Sequence, residues 1–185
     1  MNREYVVVDE LGERIFEGLA VSPGVVIGPA YISESSDIQI LEYRVPTSKI
    51  PGELSRLTEA VEKAQNQVLK LHGKSKDFHG AAGEELGYLL DAHMQMLKSS
   101  SLIGGIKARI KTGQKNAEAA VMAEVGQIAR KFATMDDPYL RTKSQEVREV
   151  GHRIVRNLTK TVSDSYTGLT KNSVILSEEI TPADT

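Results

Sequence analysis

The spacing of apolar residues changes near the start of this 185-residue chain and again near its end. From Ser48 to about Lys160 apolar residues recur at alternating intervals of three and four, the period of a helix rather than a strand. Leu54, Leu57, Val61, Ala64, Val68 and Leu71 predict one amphipathic helix, opened by Pro51 and Glu53 and ended at His72-Gly73. A polar loop through Lys74, Lys76 and Gly80 leads to a second helix, with Leu86, Leu90, His93 and Leu97 along its stripe. A third is expected over Leu102 to Thr112, weakened at its start by Gly104 and Gly105, with Gly113 as a left-handed stop. Asn116 reads as the N-cap of a fourth, carrying Val121, Val125, Ile128, Phe132 and Met135. Asp137-Pro138 opens a fifth, with Leu140, Val147, Val150, Ile154 and Leu158 on one side.

The flanks read differently. Ile15 to Ala20, Val25 to Ile32 and Ile38 to Leu41 are expected strands, with a turn at Ser22-Pro23-Gly24. Val174-Ile175-Leu176 predicts one short buried strand, broken by Ile180-Thr181-Pro182. A single late strand cannot close a sheet, and the opening strands lack partners for an independent one. The expected fold is therefore mostly α with a split α/β part: residues 1–45 and 161–185 form a clipped α/β domain around a helical bundle at 48–160. Such an insertion needs its ends close together, which an antiparallel pairing of the first and last long helices supplies.

Composition narrows the chemistry. The chain has no cysteine, which removes disulfides and thiolate metal sites and accords with a reducing cytoplasm. Net charge is −2, aromatics are 5% and tryptophan is absent, so neither the basic face nor the stacking platform of a nucleic-acid binder is expected. No stretch reaches the ~20 apolar residues of a membrane span, and Tyr5 to Val8 is too short for a signal peptide. The Asn157-Leu158-Thr159 sequon reads as a coincidence on a helix surface.

Four segments in order carry a family resemblance. They are Gly18-Leu-Ala-Val-Ser-Pro-Gly-Val-Val-Ile-Gly28; Glu84-Glu85 with Leu89 to Leu97; Asp136-Asp137-Pro138-Tyr139-Leu140 with Glu146 to Leu158; and Val174 to Pro182. Together they resemble Enzyme I of the bacterial phosphotransferase system, from about Glu17 to Thr185. The resemblance implies a split phosphohistidine domain holding an HPr-binding helical domain. It also implies phosphoryl transfer from phosphoenolpyruvate, through an active histidine, to the phosphocarrier HPr. In the family that histidine lies in a Gly-Gly-x-Thr-Ser-His run past the Thr-Pro segment, beyond Thr185, and the Mg²⁺ site and dimer contacts lie in a later barrel. The stretch in hand is accordingly expected to dock HPr as a monomer without catalytic or metal-binding residues of its own. A helical scaffold without enzymatic activity and a swivelling domain of another phosphoenolpyruvate-using enzyme are the alternatives. Residues 1–14 precede the resemblance, and the end is expected to fray from about Ser177.

The resemblance assigns partner binding to Glu84, Glu85, Asp91, Met94, Lys98, Ser99 and Ser101. The acids suit the basic rim around the HPr histidine; the plainer reading is that Glu84 and Glu85 complement a helix dipole, worth about 0.3–1 kcal/mol each. Lys98-Ser99-Ser100-Ser101-Leu102 departs from the acidic segment the family carries here, which weakens attraction to a basic partner. Of the histidines, His93 is expected to be packed and hydrogen-bonded in the core, His72 and His79 solvated beside a loop, and His152 on a charged helix face. Asp91 and His93, two apart, lie on different helix faces and make no metal site. The glycines from Gly18 to Gly28 lack a following helix and read as turn and packing positions rather than a phosphate cradle.

Overall fold

The apolar stripes of the central region fold into five helices among the described residues: α1 (Ile50–Ser75), α2 (Ala81–Lys98), α3 (Ser100–Lys111), α4 (Ala117–Ala133) and α5 (Pro138–Thr159). Four short strands flank them, β1 (Val6–Val7), β2 (Arg14–Ile15) and β3 (Ala30–Ser33) before, and β4 (Val174–Ser177) after. This computed structural model describes residues 6–7, 14–15, 18–20, 22–33, 40–75, 80–159 and 172–177. The chain divides into two compact units, Met1–Ile32 with Leu169–Leu176, and Ser33–Gly168 with Ser177–Thr185. No helix among the described residues is long and apolar enough to cross a membrane.

In the helical unit the predicted stripes form one core. Leu57, Ala64 and Val68 of α1 meet Leu90 and Leu97 of α2, Ile106 and Ile110 of α3, Val121 and Val125 of α4, and Val150 and Ile154 of α5. Each fully buried Leu or Ile contributes about 1.5–3 kcal/mol relative to exposure. Helices α4 and α5 approach closely because residue 151 is glycine: a Cβ there would lie 2.7 Å from a Val125 methyl. Gly105 plays the same part between α3 and α4, where a Cβ would lie 2.3 Å from the Glu124 carboxylate.

A polar knot closes the base of this unit. Glu53 in the first turn of α1 accepts from the Ala117 amide at 2.8 Å, capping α4 from another helix. Arg56 donates to Glu53 at 2.8 Å, to Glu118, and to the Leu158 carbonyl in the last turn of α5 at 3.5 Å. Burial opposes the Arg56 charge, but the hydrogen bonds and charges of Glu53 and Glu118 more than offset it and raise its pKa. Burial likewise pushes Glu118 up, and bonds from its own amide, Asn116 and Arg56 bring it below the usual carboxylate range. Asn116 ties in the incoming chain, accepting from the Tyr43 amide at 3.1 Å and donating to the Leu41 carbonyl at 3.1 Å. Gln67 and Asn157 add a second link between α1 and α5, at 3.2 Å.

Several local expectations are corrected. Helix α1 runs through His72-Gly73 to Ser75, whose hydroxyl donates back to the His72 carbonyl at 2.9 Å. The left-handed residue after α3 is Gln114 (φ 51°), not Gly113. Gln114 is held there because its carbonyl accepts from the Val45 amide at 2.7 Å and its side chain bonds Arg44 and Thr47. Gly113 is required for space, since a Cβ would sit 2.6 Å from the Arg109 carbonyl oxygen. Asn116 occupies the N-cap position of α4 without capping it, its side chain being committed to Tyr43, Leu41 and Glu118. Helix α3 starts at Ser100 despite Gly104 and Gly105, because Ser99 caps it by accepting from the Leu102 amide at 3.3 Å. Asp137 caps α5 as expected, accepting from the Tyr139 amide at 2.8 Å.

In the other unit β1 pairs antiparallel with β2, Val6 opposite Ile15, and β3 neighbours β4. Strand structure is shorter than the sequence pattern predicts: residues 18–20 and 22–29 lie outside any strand, as do Ile40 and Leu41. A ladder needs a partner, and β4 offers four residues. The Val174 amide donates to the Pro29 carbonyl at 2.8 Å, and Gly28 passes so near Asn172 that a Cβ would lie 1.8 Å from its carbonyl oxygen. Leu19, Val25, Val26 and Ile27 are exposed. The strand start at Ile38, His79, the Ile180-Thr181-Pro182 break and the fraying expected beyond Ser177 lie outside the described residues.

Candidate docking face

Helix α2 begins after Gly80, whose φ of 84° suits glycine. Its apolar side buries Leu90, His93 and Leu97. At 100° per residue the opposite side carries Glu84, Tyr88, Asp91, Gln95 and Lys98. All five are exposed.

The residues singled out from sequence separate accordingly. Glu84 and Asp91 share the outward row, while Glu85, also exposed, lies about 100° around the helix from Glu84. Asp91 is 69% exposed, with its Oδ1 3.4 Å from Nε2 of His72 on α1, so His72 is partnered rather than simply solvated. Met94 turns inward and packs against the core. Lys98 closes the row at the last turn of α2. Ser99 is the single non-helical residue between α2 and α3, and its hydroxyl is engaged in the cap. Ser101 is exposed and lines a groove of about 360 Å³ with Met96, Leu102, Ile128, Phe132 and Met135. Lys98 and Ser99 instead border a second cleft, of about 560 Å³, against α1.

Sequence reasoning passed over Tyr88. It is 74% exposed at the centre of the outward row. The signal was available: an aromatic two residues from both Leu86 and Leu90 falls off the buried stripe of a helix.

His93 is buried as expected, at 2% exposure, but the expected hydrogen bond is missing: neither ring nitrogen has a partner, and the nearest carboxylate oxygen, from Glu149, is 3.8 Å away. That distance is too long for a hydrogen bond because α5 presents Glu149 beside the ring without reaching it. Burial pushes the imidazole pKa down to about 4, Arg153 and Lys143 acting in the same direction and Glu146 against them. His152 is exposed. Among the described residues no three His, Asp or Glu side chains gather as metal ligands.

A helical bundle lying, in chain order, between two neighbouring strands defines an inserted helical domain. The chain belongs to the family described as PEP-utilising enzyme, N-terminal, whose pattern matches residues 17–143. It is 29% identical over 175 residues to the phosphoenolpyruvate-protein phosphotransferase of Geobacillus stearothermophilus, covering 94% of this chain and 29% of that protein. The corresponding protein of Bacillus subtilis (strain 168) is 24% identical over 169 residues, 91% of this chain and 29% of the relative. The chain thus spans less than a third of the length of these curated relatives. Its structure is similar to a solution structure of an Enzyme I protein, with a TM-score of 0.78 and 28% identity over 92% of this chain and 67% of that one. The fold alone is also that of the N-terminal domain of a nitrogen Enzyme 1, with a TM-score of 0.65 and 23% identity over 89% and 66% of the two chains.

Proposed function

We propose that this chain forms the amino-terminal part of a cytoplasmic phosphoenolpyruvate-protein phosphotransferase, with residues 48–160 as the domain that docks an HPr-type phosphocarrier. Residues 1–45 and 161–185 are then two pieces of the split phosphohistidine domain. In the parent reaction the phosphoryl group leaves the enol oxygen of phosphoenolpyruvate for a histidine nitrogen of the enzyme. It then moves to a histidine nitrogen of the carrier, one P–N bond breaking as the other forms. Mg²⁺ serves the phosphoenolpyruvate step, and none of the described residues is assigned to it. This chain's contribution is positional, holding the carrier by α2. The stretch acts as a monomer, and the parent as a homodimer.

The observation that carries this reading is the outward row of α2, where Glu84 and Asp91 stand exposed and free of core duties. Such a row complements the basic surface expected around a carrier histidine, and rim charges of this kind chiefly govern association rate. Glu85, Lys98 and Ser101 border the row, and Ser101 leads into the apolar groove at the α2–α3 elbow. Met94 and Ser99 support the face from within.

The test is an NMR titration of the isotopically labelled chain with unlabelled HPr and, separately, with its nitrogen-pathway counterpart. Shifts centred on residues 84–102 are expected with one of the two, which assigns the branch. Shifts with neither, or shifts confined to other helices, would remove the docking assignment.

A further inference from the structure

Resting on the docking reading above, we propose that Glu84, Tyr88 and Asp91 form a receptor for one guanidinium of the carrier, an arginine stacked on the Tyr88 ring between two carboxylates. The three residues follow one another at intervals of four and three along α2, so each is the helix-surface neighbour of the next, with Cβ atoms about 5–6 Å apart. The dipole of α2 accounts for an acid at Glu84 in its first turn, but not for an aromatic one turn later. Core packing does not account for it either, because the ring is 74% exposed. The other strongly exposed tyrosine of the helices, Tyr139, lies under Lys143 with the ammonium 4.8 Å from its ring centroid. No such intramolecular cation sits over Tyr88 among the described residues.

An open aromatic face flanked by two carboxylates selects for a planar cation. Guanidinium stacks on the ring while its edge donors reach a carboxylate, a pairing that an ammonium matches less well. Asp91 is already within 3.4 Å of His72 through one oxygen, which steadies that carboxylate beside the ring. The occupant is committed by charge: the row carries two acids around an aromatic, and the carrier is the basic partner of the proposed function.

The experiment uses the carrier that perturbs α2 in the titration, with Tyr88→Phe, Tyr88→Leu and Tyr88→Ala variants of the whole chain. The amide spectrum of each confirms an unchanged fold, as the exposure of the position predicts. Tyr88→Phe should bind within about twofold of the parent, because the ring face is kept. Tyr88→Leu keeps apolar area without a π-face and should bind about 3- to 30-fold more weakly, and Tyr88→Ala no better. Equal binding by the Phe and Leu variants would overturn the guanidinium receptor while leaving docking intact. Failure of the parent chain to bind any such carrier would overturn docking, and this inference with it.

Discussion

Replacing His93 by leucine should remove most of the acid sensitivity of the helical bundle above about pH 5. The imidazole is 2% exposed, without a hydrogen-bond partner, and faces Lys143, Glu146, Glu149 and Arg153, all on α5. Its folded pKa of about 4 lies below the ordinary 6.5, so between those values the unfolded chain binds more protons and stability falls as pH falls. Between about pH 7.5 and about pH 5 an unfolded imidazole gains nearly a full proton, and the buried one gains about a tenth. Integrated over that interval the difference costs the fold about 2 kcal/mol, and the loss saturates near 3 kcal/mol once pH drops below the folded value. The interval stays above the region where Glu118, with its lowered pKa, begins to lose its contribution. Urea unfolding followed by helical circular dichroism at both pH values measures it. With a slope of about 2 kcal/mol/M, the parent midpoint should drop by about 1 M more than that of His93→Leu. A variant that loses as much stability as the parent would show that the folded imidazole takes up its proton without penalty.

Two further substitutions probe the frame of the bundle. Glu53→Ala leaves the buried Ala117 amide without its acceptor and strips Arg56 of a partner, so unfolding free energy should fall by about 1–3 kcal/mol; an unchanged urea midpoint would mean that α4 is capped some other way. Gly151→Ala places a methyl 2.7 Å from Val125 and should cost about 1–3 kcal/mol, with part of the loss recovered by adding Val125→Ala. If the double variant is as unstable as the sum of the two singles, the α4–α5 contact does not set that cost.

The five helices were legible because their stripes are long and keep one period; Leu54 to Leu71 alone spans most of α1. Ends were less legible, since they rest on contacts between residues far apart in the chain. Nothing near Asn116 announces that Glu53, 64 residues earlier than Ala117, takes over the cap. Nothing in Gly113-Gln114 reveals that Val45, Arg44 and Thr47 hold the glutamine in a left-handed conformation. The strands were over-read because β-branched residues such as Val25, Val26 and Ile27 mark where a strand can form, whereas pairing decides where it does. At the candidate face the acids were found by their type and position, and Tyr88 was missed because attention went to charge. The burial of His93 followed from its place between Leu90 and Leu97; its lack of a partner depends on how far Glu149 reaches from α5, which no local pattern encodes.

The knot around Arg56 has a mechanical meaning. It joins the start of α1, the start of α4 and the last turn of α5, and through Asn116 the segment that leads into the bundle. Tension pulled through the two connections of the bundle meets this ionic clasp before it reaches any seam between helices. Load crosses the base from one connection to the other, and the five helices swing as one lever instead of peeling away in turn.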